Sequence, residues 1–354
     1  MTERYLNFAS FGPPTRAVLA AAHGVDERAA AGVPGAELHR EDERAIAAVS
    51  RSTGFAAEGI ALMPNTSTGL LHTAFSVPPG RVLVSRAEFP ANLYPWWRAA
   101  EAGRIEVDVV EPALPERPMS PDDIASALTD NTVAVAVSAV SFQTGYRVDL
   151  DAVRDVIGDR LLVVDAVQAM GVVQQDWRVA DVVAVGGQKW LRAGWGTGFL
   201  ALSPRALDRL EPLLTGWAGV EDAGVYSGDE HPRRADARRF TVTNGAPSAA
   251  AALTAALEGI ESAGAAAVAE QVSARASHLT EGLADRGISV VSPTAASERA
   301  GIVVARFADA PRLHAELTRA GVQTTLIGDD RIRFSPHMTT PFEVLDEVVA
   351  LLGP

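Results

Sequence analysis

The chain contains 31 lysine and arginine residues, and Lys189 is the single lysine among them. An unprotonated lysine amine condenses with an aldehyde to form an imine, whereas a guanidinium stays protonated and is a poor nucleophile at physiological pH. Lys189 is therefore the one side chain suited to imine chemistry. The simpler interpretation is a surface lysine left over in an arginine-rich composition, and the residues around it decide between the two.

Polar side chains follow two neighbouring predicted strands at the points where they end. Asp165 closes the apolar run 161–165, Gln168 comes shortly after it, and Lys189 follows the apolar run 182–185. Strand ends of this kind line the ligand crevice of open parallel sheets. An aldehyde-bearing pyridine cofactor uses all three groups: the amine forms the imine, the carboxylate keeps the ring nitrogen protonated, and the amide bonds the ring oxygen.

Such a cofactor also needs an anion site and a stacking surface. Thr66 and Ser67 follow a strand-like run and begin a predicted helix, whose free N–H groups and hydroxyls suit a phosphate. The same run also suits a simple helix N-cap. Gln188 is placed to add a phosphate contact, and Phe89 follows another strand where its ring can lie on the pyridine, although an isolated phenylalanine is more often part of a core.

The elements that position these residues follow from the hydrophobic pattern. From residue 60 to residue 202, short apolar β-rich runs alternate with segments of helical period, which predicts a mostly parallel sheet covered by helices on both faces. Strands are predicted at residues 81–84, 105–109, 133–139, 161–165, 182–185 and 198–202, and helices at 67–75, 91–102, 122–128 and 150–157. Two alanine-rich helices, near residues 246–262 and 265–286, then lead to a smaller α+β unit.

Composition excludes several classes of function. A net charge of −13 and a pI near 5.0 argue against nucleic acid and against an anionic membrane surface as partners. There is neither a signal-peptide pattern at the start nor an apolar run of membrane-spanning length, so we expect a cytoplasmic protein. The chain has no cysteine, which excludes disulfides, thiolate ligands and cysteine nucleophiles. The scattered histidines show no pair at ligand spacing, so no metal site is expected.

These residues, in this order, resemble the class V aminotransferase family of fold type I pyridoxal-phosphate (PLP) enzymes over nearly the whole chain. The strongest segments are residues 164–171, 189–190 and 194–200, and residues 7–13, 88–96, 140–147 and 333–337 support them. The resemblance implies an α/β fold with a mostly parallel seven-stranded sheet between helices and a smaller α+β domain. It also implies PLP as cofactor, an amino acid as substrate and a homodimer.

The expected organisation has four parts. Residues 1–53 form an N-terminal segment that packs with the small domain, and residues 54–245 form the large PLP-binding domain. Residues 246–286 form connecting helices, and residues 287–354 form the small C-terminal domain.

The resemblance assigns roles residue by residue. Lys189 forms the imine with the cofactor, Asp165 pairs with the pyridine nitrogen and Gln168 touches the ring oxygen. Arg333 clamps a substrate carboxylate with two parallel charge-assisted bonds. Phe89 stands where many relatives carry histidine, so stacking is kept but proton transfer by a ring nitrogen is not.

The predicted phosphate contacts from the same chain match the family pattern, but the contact from the partner subunit does not. Thr66 and Ser67 match the family's phosphate loop. In the family, a further segment carries a hydroxyl that contacts the partner subunit's phosphate. The corresponding residues of this chain, 239–247, depart from the family pattern and align only with a gap. Thr243 or Asn244 would supply this contact, and the departure weakens the inference of a homodimer.

The implied activity is first of all transamination. A β-eliminating C–S lyase and an amino-acid epimerase are the alternatives, because both begin with the same loss of a Cα proton. A persulfide-forming cysteine desulfurase is excluded, since that reaction needs an enzyme cysteine. A binding protein that has lost the reaction conflicts with the intact Lys189, Asp165 and Gln168. A NAD-dependent dehydrogenase fits poorly, because the glycines of residues 194–198 lead into a strand and lack the dinucleotide spacing.

Overall fold

The computed structural model describes residues 4–112 and 119–353, and within these residues it contains twelve α-helices and eleven β-strands. Seven of the strands form one sheet. They are β1 (Ile60–Leu62), β2 (Arg81–Ser85), β3 (Glu106–Val110), β4 (Thr132–Ser138), β5 (Leu161–Asp165), β6 (Val182–Gly186) and β7 (Gly198–Leu202). Their order across the sheet is β1-β7-β6-β5-β4-β2-β3. Strands β3, β2, β4, β5 and β6 run parallel, and β7 pairs antiparallel with both β6 and β1. The predicted α/β class and mostly parallel sheet are confirmed.

Most of the helices pack around this sheet, and the last two pack in the core of a smaller unit near the end of the chain. The helices are α1 (Arg16–Ala30), α2 (Gly35–Leu38), α3 (Arg40–Thr53), α4 (Thr66–Ala74), α5 (Tyr94–Glu101), α6 (Pro121–Ala127), α7 (Leu150–Ile157), α8 (Pro204–Arg209), α9 (Pro247–Ala263), α10 (Ala265–Asp285), α11 (Ala310–Arg319) and α12 (Phe342–Leu351).

The central strands are apolar throughout because both faces of the sheet are covered. In β5, Leu162 and Val164 join the apolar cluster on one face, while Leu161 and Val163 join the cluster on the other. Successive side chains of a strand point to opposite faces, so a strand buried on both sides must be apolar at every position. Asp165 breaks this pattern at the last residue of β5, where the strand leaves the core.

A second sheet has four antiparallel strands in the order β10-β11-β9-β8. They are β8 (Ser289–Val290), β9 (Val303–Arg306), β10 (Thr325–Ile327) and β11 (Arg331–Phe334). Leu6, from the start of the chain, packs in the core of this unit, and Asn7 bridges to Ser335. Val18 and Val49, from α1 and α3, belong instead to the core of the large sheet. The N-terminal segment therefore touches both units, and the predicted domain boundaries stay a prediction.

Among the described residues, no helix is long and apolar enough to cross a membrane. The same residues show no group of His, Asp and Glu side chains suited to holding a metal ion.

Candidate functional site

Lys189 lies at the end of the large sheet where the parallel strands terminate. It follows β6 after the turn of Gly186 and Gly187. The backbone beside it is also hydrogen-bonded to the N-terminal segment. The N–H of Gly12 donates to the carbonyl oxygen of Gln188 at 2.8 Å. A Cβ at Gly12 would lie 1.9 Å from the carbonyl oxygen of Lys189, so this close approach requires glycine. The N-terminal segment thereby fixes the position of the lysine.

The Lys189 amine faces an aromatic ring and a buried carboxylate. Its Nζ lies 5.5 Å from the ring centroid of Phe89, whose edge in turn meets Phe142 at a centroid distance of 5.1 Å. Burial lowers the pKa of Lys189 to about 8, with Asp165 opposing this shift and Arg333 adding to it. A much larger fraction of the amine is therefore unprotonated near neutral pH than for an ordinary lysine.

Asp165 is 3% exposed and accepts a hydrogen bond from the backbone N–H of Val167 at 3.0 Å. Burial raises its pKa to about 6, and the Val167 N–H and the charge of Lys189 both act to lower it. Among the described residues no cation lies within ion-pair distance of this carboxylate. The carboxylate is therefore desolvated but incompletely paired, and such a group is suited to binding a cationic ligand.

The start of α4 lies beside the turn that precedes Lys189. Asn65 caps the helix by accepting the backbone N–H of Thr68 at 2.8 Å. The hydroxyl oxygen of Thr66 is buried and has no hydrogen-bond partner within the described part of the chain. A Cβ at Gly186 would lie 2.9 Å from this oxygen and 2.4 Å from Oε1 of Gln188, so the two side chains converge there. A helix N-terminus with an unpartnered hydroxyl suits a phosphate.

Ser67 is the second residue of α4 and is exposed. Of the three side chains predicted to hold the phosphate within the same chain, the structure therefore brings Thr66 and Gln188 together and leaves Ser67 at the surface of the same helix end.

Gln168 is buried and already makes two hydrogen bonds. Its Nε2 donates to the carbonyl oxygen of Ala9 at 2.9 Å, and its Oε1 accepts from Nε1 of Trp190 at 2.9 Å. The amide has two donor hydrogens, so one remains for a ligand. Trp190 fixes the amide orientation, because only the oxygen can accept from the indole N–H.

Arg333, on β11, is 6% exposed and reaches the same region from the small sheet. It donates to the carbonyl oxygen of Phe142 at 3.1 Å, to Oγ of Ser10 at 2.7 Å and to Oγ1 of Thr325 at 3.3 Å, while its buried Nε has no partner. Burial lowers its pKa to about 10. No carboxylate within the described residues pairs with it, so a buried cation is left for an anionic ligand.

Thr243 and Asn244 lie elsewhere in the chain's own fold. Both are exposed, and Oγ1 of Thr243 accepts from Nε1 of Trp217 at 3.2 Å. They line a cavity of about 600 Å³ that Pro64 and Thr68 also line, but whose lining does not include Lys189. A contact between either residue and the partner subunit's phosphate stays a prediction.

The family model described as Aminotransferase class-V matches residues 54–324. This match covers more than half of the chain. The chain belongs to the class-V aminotransferase family. The family is PLP-dependent, and the described residues of this chain fit the cofactor: the buried hydroxyl of Thr66 has no partner at a helix N-terminus, the underpaired carboxylate of Asp165 lies at a strand end, and Lys189 has a lowered pKa after the neighbouring strand.

Curated relatives of this class-V protein have several different names. A kynureninase of Deinococcus radiodurans is 29% identical over 305 residues, which is 82% of this chain and 72% of the kynureninase. An isopenicillin N epimerase of Streptomyces clavuligerus is 31% identical over 170 residues, which is 45% of this chain and 42% of the epimerase.

Solved structures share the fold over the whole chain. A complex of the cystine C–S lyase C-DES with cysteine persulfide has a TM-score of 0.90 at 22% identity and covers 99% of this chain and 98% of that one. A variant of the same protein, solved with glycine covalently linked to its PLP cofactor, also has a TM-score of 0.90, at 21% identity, and covers 99% of this chain and 96% of that one. The class-V chain is therefore a fold type I protein.

Sequence reasoning missed one functional candidate in this class-V protein. Glu88 is buried beside Asp165, and burial is the main cause that raises its pKa to about 7. Its position directly after β2 was the available signal, because a charged residue that follows an apolar strand of a parallel sheet lies at the same edge as Asp165.

Proposed function

We propose that this protein is a PLP-dependent lyase that removes a β-substituent from an amino acid, and that Lys189 carries both the imine and the proton transfer. The observation that supports this most is the ring that faces the Lys189 amine. This ring belongs to Phe89, whose centroid lies 5.5 Å from Nζ and which carries no proton, and the ionic groups that act on Lys189 are Asp165 and Arg333. A leaving group that departs as a stable anion, such as a thiolate, needs no further acid.

Each residue has a distinct part in the proposal. When bound, pyridoxal phosphate supplies an aldehyde that condenses with amines and a protonated ring that withdraws electrons from the bonds of the substrate Cα. Asp165 holds the ring nitrogen in its protonated form, and Gln168 donates its remaining amide hydrogen to the ring oxygen. Lys189 would take the proton from the substrate Cα, because its lowered pKa leaves it partly unprotonated.

The remaining residues bind and orient. Thr66, Ser67 and Gln188 hold the phosphate at the start of α4, and Phe89 stacks on the pyridine ring. Arg333 holds the substrate carboxylate, and its fixed contacts with Ser10 and the Phe142 carbonyl orient the guanidinium in advance. This orientation determines which bond of the Cα points to Lys189.

The comparisons support elimination over transamination without deciding between them. The structural neighbour named above is a cystine C–S lyase, and the two relatives are a kynureninase and an epimerase. None of these three is named an aminotransferase. Transamination remains the second candidate, because one lysine is also able to move the proton from Cα to the cofactor. Epimerisation is third, since it needs a proton carrier on the opposite face and Phe89 is unable to serve as one.

Two matched amino acids test the proposal. L-Cystine and L-alanine both contain an α-amino acid core, but only cystine carries a sulfur leaving group on Cβ. We expect the protein to release pyruvate and ammonia from cystine over many turnovers and to give neither with alanine. Release of pyruvate from alanine, in step with loss of the visible absorbance band and without ammonia, would instead establish an aminotransferase. The Lys189→Ala protein is the blank for both reactions.

We also propose a homodimer. Large apolar side chains on the segment before α9 are exposed in a single chain: Trp217 is 49%, Val225 57%, Tyr226 88% and Val242 48% exposed. A second copy would cover them and would bring Thr243 and Asn244 to another chain's site. Light scattering should give twice the chain mass of 37.2 kDa, and a monomeric mass would contradict the proposal.

A further inference from the structure

A second buried carboxylate lies at the cofactor end of the sheet and has no part in the chemistry above. Glu88 follows β2 and is 7% exposed. Its Oε1 accepts the backbone N–H of Ser138 at 2.8 Å, and its Oε2 accepts the hydroxyl of the same residue. No cation within the described residues is close enough to form an ion pair with it. Its charge is therefore held by neutral donors alone.

Glu88 is tied to the strand that neighbours Asp165. Ser138 is the last residue of β4 and is the register partner of Asp165, the last residue of β5. The N–H of Ala139 donates to the carbonyl oxygen of Asp165 at 2.9 Å. Both carboxyl groups thus lie where the two parallel strands end. The end of β4 connects them, because Ser138 donates to Glu88 and the next residue, Ala139, donates to the backbone of Asp165.

The two carboxyl groups act on each other electrically. Burial raises the pKa of Glu88 to about 7, the hydrogen bonds from Ser138 and the nearby amide of Asn92 oppose this shift, and the charge of Asp165 adds to it. Such coupling is reciprocal, so the charge of Glu88 also strengthens the hold of Asp165 on a proton or a cation. Lys189 acts on Asp165 from the segment after β6, and Arg333 acts on Lys189 from β11.

We propose that Glu88 is a positioning residue that serves as a second carboxylate behind Asp165, so that the pair, and not Asp165 alone, holds the proton on the cofactor's ring nitrogen. Glu88 acts through Asp165 and does not touch the reacting atoms. This role needs only the binding of PLP, and therefore it stands or falls independently of whether the enzyme is a lyase or an aminotransferase.

The affinity for PLP as a function of pH tests the role without any turnover. Full-length wild-type and Glu88→Gln proteins are stripped of cofactor, and the dissociation constant of added PLP is measured by tryptophan fluorescence at pH 6 and pH 8.5. Near pH 8.5 Glu88 is ionised, and we expect the glutamine variant to bind PLP about five- to tenfold more weakly. Near pH 6 the wild-type Glu88 is protonated and resembles glutamine, so the two constants should agree within about twofold.

Ser138→Ala is the matched control for a merely structural role. It removes a hydrogen bond from Glu88 but leaves the carboxylate, and the loss raises the pKa of Glu88. We therefore expect the pH dependence of PLP binding to persist in the alanine variant and to move to higher pH, whereas Glu88→Gln abolishes it. Equal weakening by Glu88→Gln and Ser138→Ala at both pH values would overturn the proposal, and so would an unchanged affinity in Glu88→Gln.

A measurement on the wild-type chain keeps the proposal testable if the glutamine variant does not fold. In cofactor-free protein labelled with ¹³C at the carboxyl groups, one glutamate and one aspartate should titrate well above the other carboxyl groups, and addition of PLP should shift both. The proposal is wrong if every glutamate titrates below pH 5, or if PLP shifts the aspartate and leaves the glutamate unmoved.

Discussion

Two aspartates are buried at opposite ends of the same pair of strands, and they differ in every other respect. Asp165 closes β5, and Asp181 directly precedes β6, where its backbone N–H donates to the carbonyl oxygen of Leu162. Their exposed fractions are 3% and 1%. Burial alone would therefore place both in the same class of structural residue.

The two aspartates differ in the number and charge of their hydrogen-bond partners. The carboxylate of Asp181 accepts hydrogen bonds from Arg154 at 2.6 Å, from Arg205 at 2.8 Å, from the N–H of Leu162 at 2.8 Å and from the hydroxyl of Ser203 at 3.0 Å. Burial acts to raise its pKa, but these partners outweigh burial and lower the pKa below its usual range. Asp165 accepts one backbone N–H, and its pKa is raised.

The comparison shows how the fold distinguishes a structural charge from one kept for a ligand. A buried carboxylate with two arginines and two further donors is satisfied within the chain. A buried carboxylate with one donor costs free energy until a cation arrives. The same contrast separates Arg154, which has a carboxylate partner, from Arg333, which has none within the described residues. Both underpaired charges of this contrast, Asp165 and Arg333, act on Lys189.

The largest expected effect is at Lys189 itself. We expect Lys189→Arg to lose the visible imine band and to lower kcat by at least about a thousandfold, because a guanidinium neither forms the imine nor releases a proton near neutral pH. The variant keeps a positive charge beside Asp165, so PLP should still bind non-covalently. Absorbance spectra and turnover with L-cystine measure both effects. A retained imine band in the arginine variant would show that Lys189 is not the amine involved.

The second-largest expected effect comes from making the same substitution, aspartate to asparagine, at Asp181 and at Asp165. Asp181→Asn should lower the free energy of unfolding by about 3 kcal/mol, because it leaves Arg154 without its carboxylate partner and Arg205 with the exposed Asp159 alone. Asp165→Asn should leave the stability of the cofactor-free protein at pH 8 unchanged or increase it, since it removes an underpaired buried charge and keeps the Val167 bond. Urea unfolding of both variants measures this. Equal destabilisation by the two substitutions would contradict the distinction between them.

The dependence of stability on pH sharpens the same contrast. The folded-state pKa of Asp165 is about 6, above its ordinary value of 3.8, so the folded chain binds this proton more tightly than the unfolded chain does. Its contribution to stability is complete below pH 4 and is lost as the pH rises to 6. We expect wild type to lose about 2 kcal/mol relative to Asp165→Asn over this window. Urea unfolding of the cofactor-free proteins at pH 4, 5 and 6 measures the difference.

The contribution of Asp181 has the opposite sign. Its folded-state pKa is lowered, so its stabilisation is present above the ordinary value and is lost as the pH falls through the folded-state value. The difference between wild type and Asp181→Asn should therefore shrink on acidification, while the difference for Asp165→Asn changes in the other direction. Parallel pH profiles for the two variants would show that the two carboxylates have similar environments.

The sequence predicted the large sheet well because its strands are buried on both faces. The bounds of β5 and β7 agree with prediction, since an uninterrupted apolar run is a strong signal. Strand β10 was not predicted. Its three residues are all partly buried, and it is a strand only because it pairs with β11, which a local pattern does not reveal.

The chemistry-bearing residues of the site were predictable by their place at strand ends, but their charge states were not. Nothing local shows that Arg333 contacts Ser10 and Thr325, because Ser10 is distant in sequence and Thr325 lies on the strand that was missed. Glu88 is inconspicuous as a residue after a strand until its burial and its bonds to Ser138 are known. Burial is a property of the folded chain, and it is burial that moves these pKa values.

The smallest expected effect contrasts Arg333, which is buried, with Arg154, which is partly buried. Arg333→Lys keeps the positive charge but loses the two parallel donors that match a carboxylate, so we expect KM for L-cystine to rise about tenfold with kcat within about threefold. Arg154→Lys changes a partly buried arginine that already has Asp181 as partner, so KM should stay unchanged and stability should fall by about 1 kcal/mol. Steady-state kinetics and urea unfolding of both variants measure these effects. A rise in KM shared by both lysine variants would mean that Arg333 acts on the fold and not on the substrate carboxylate.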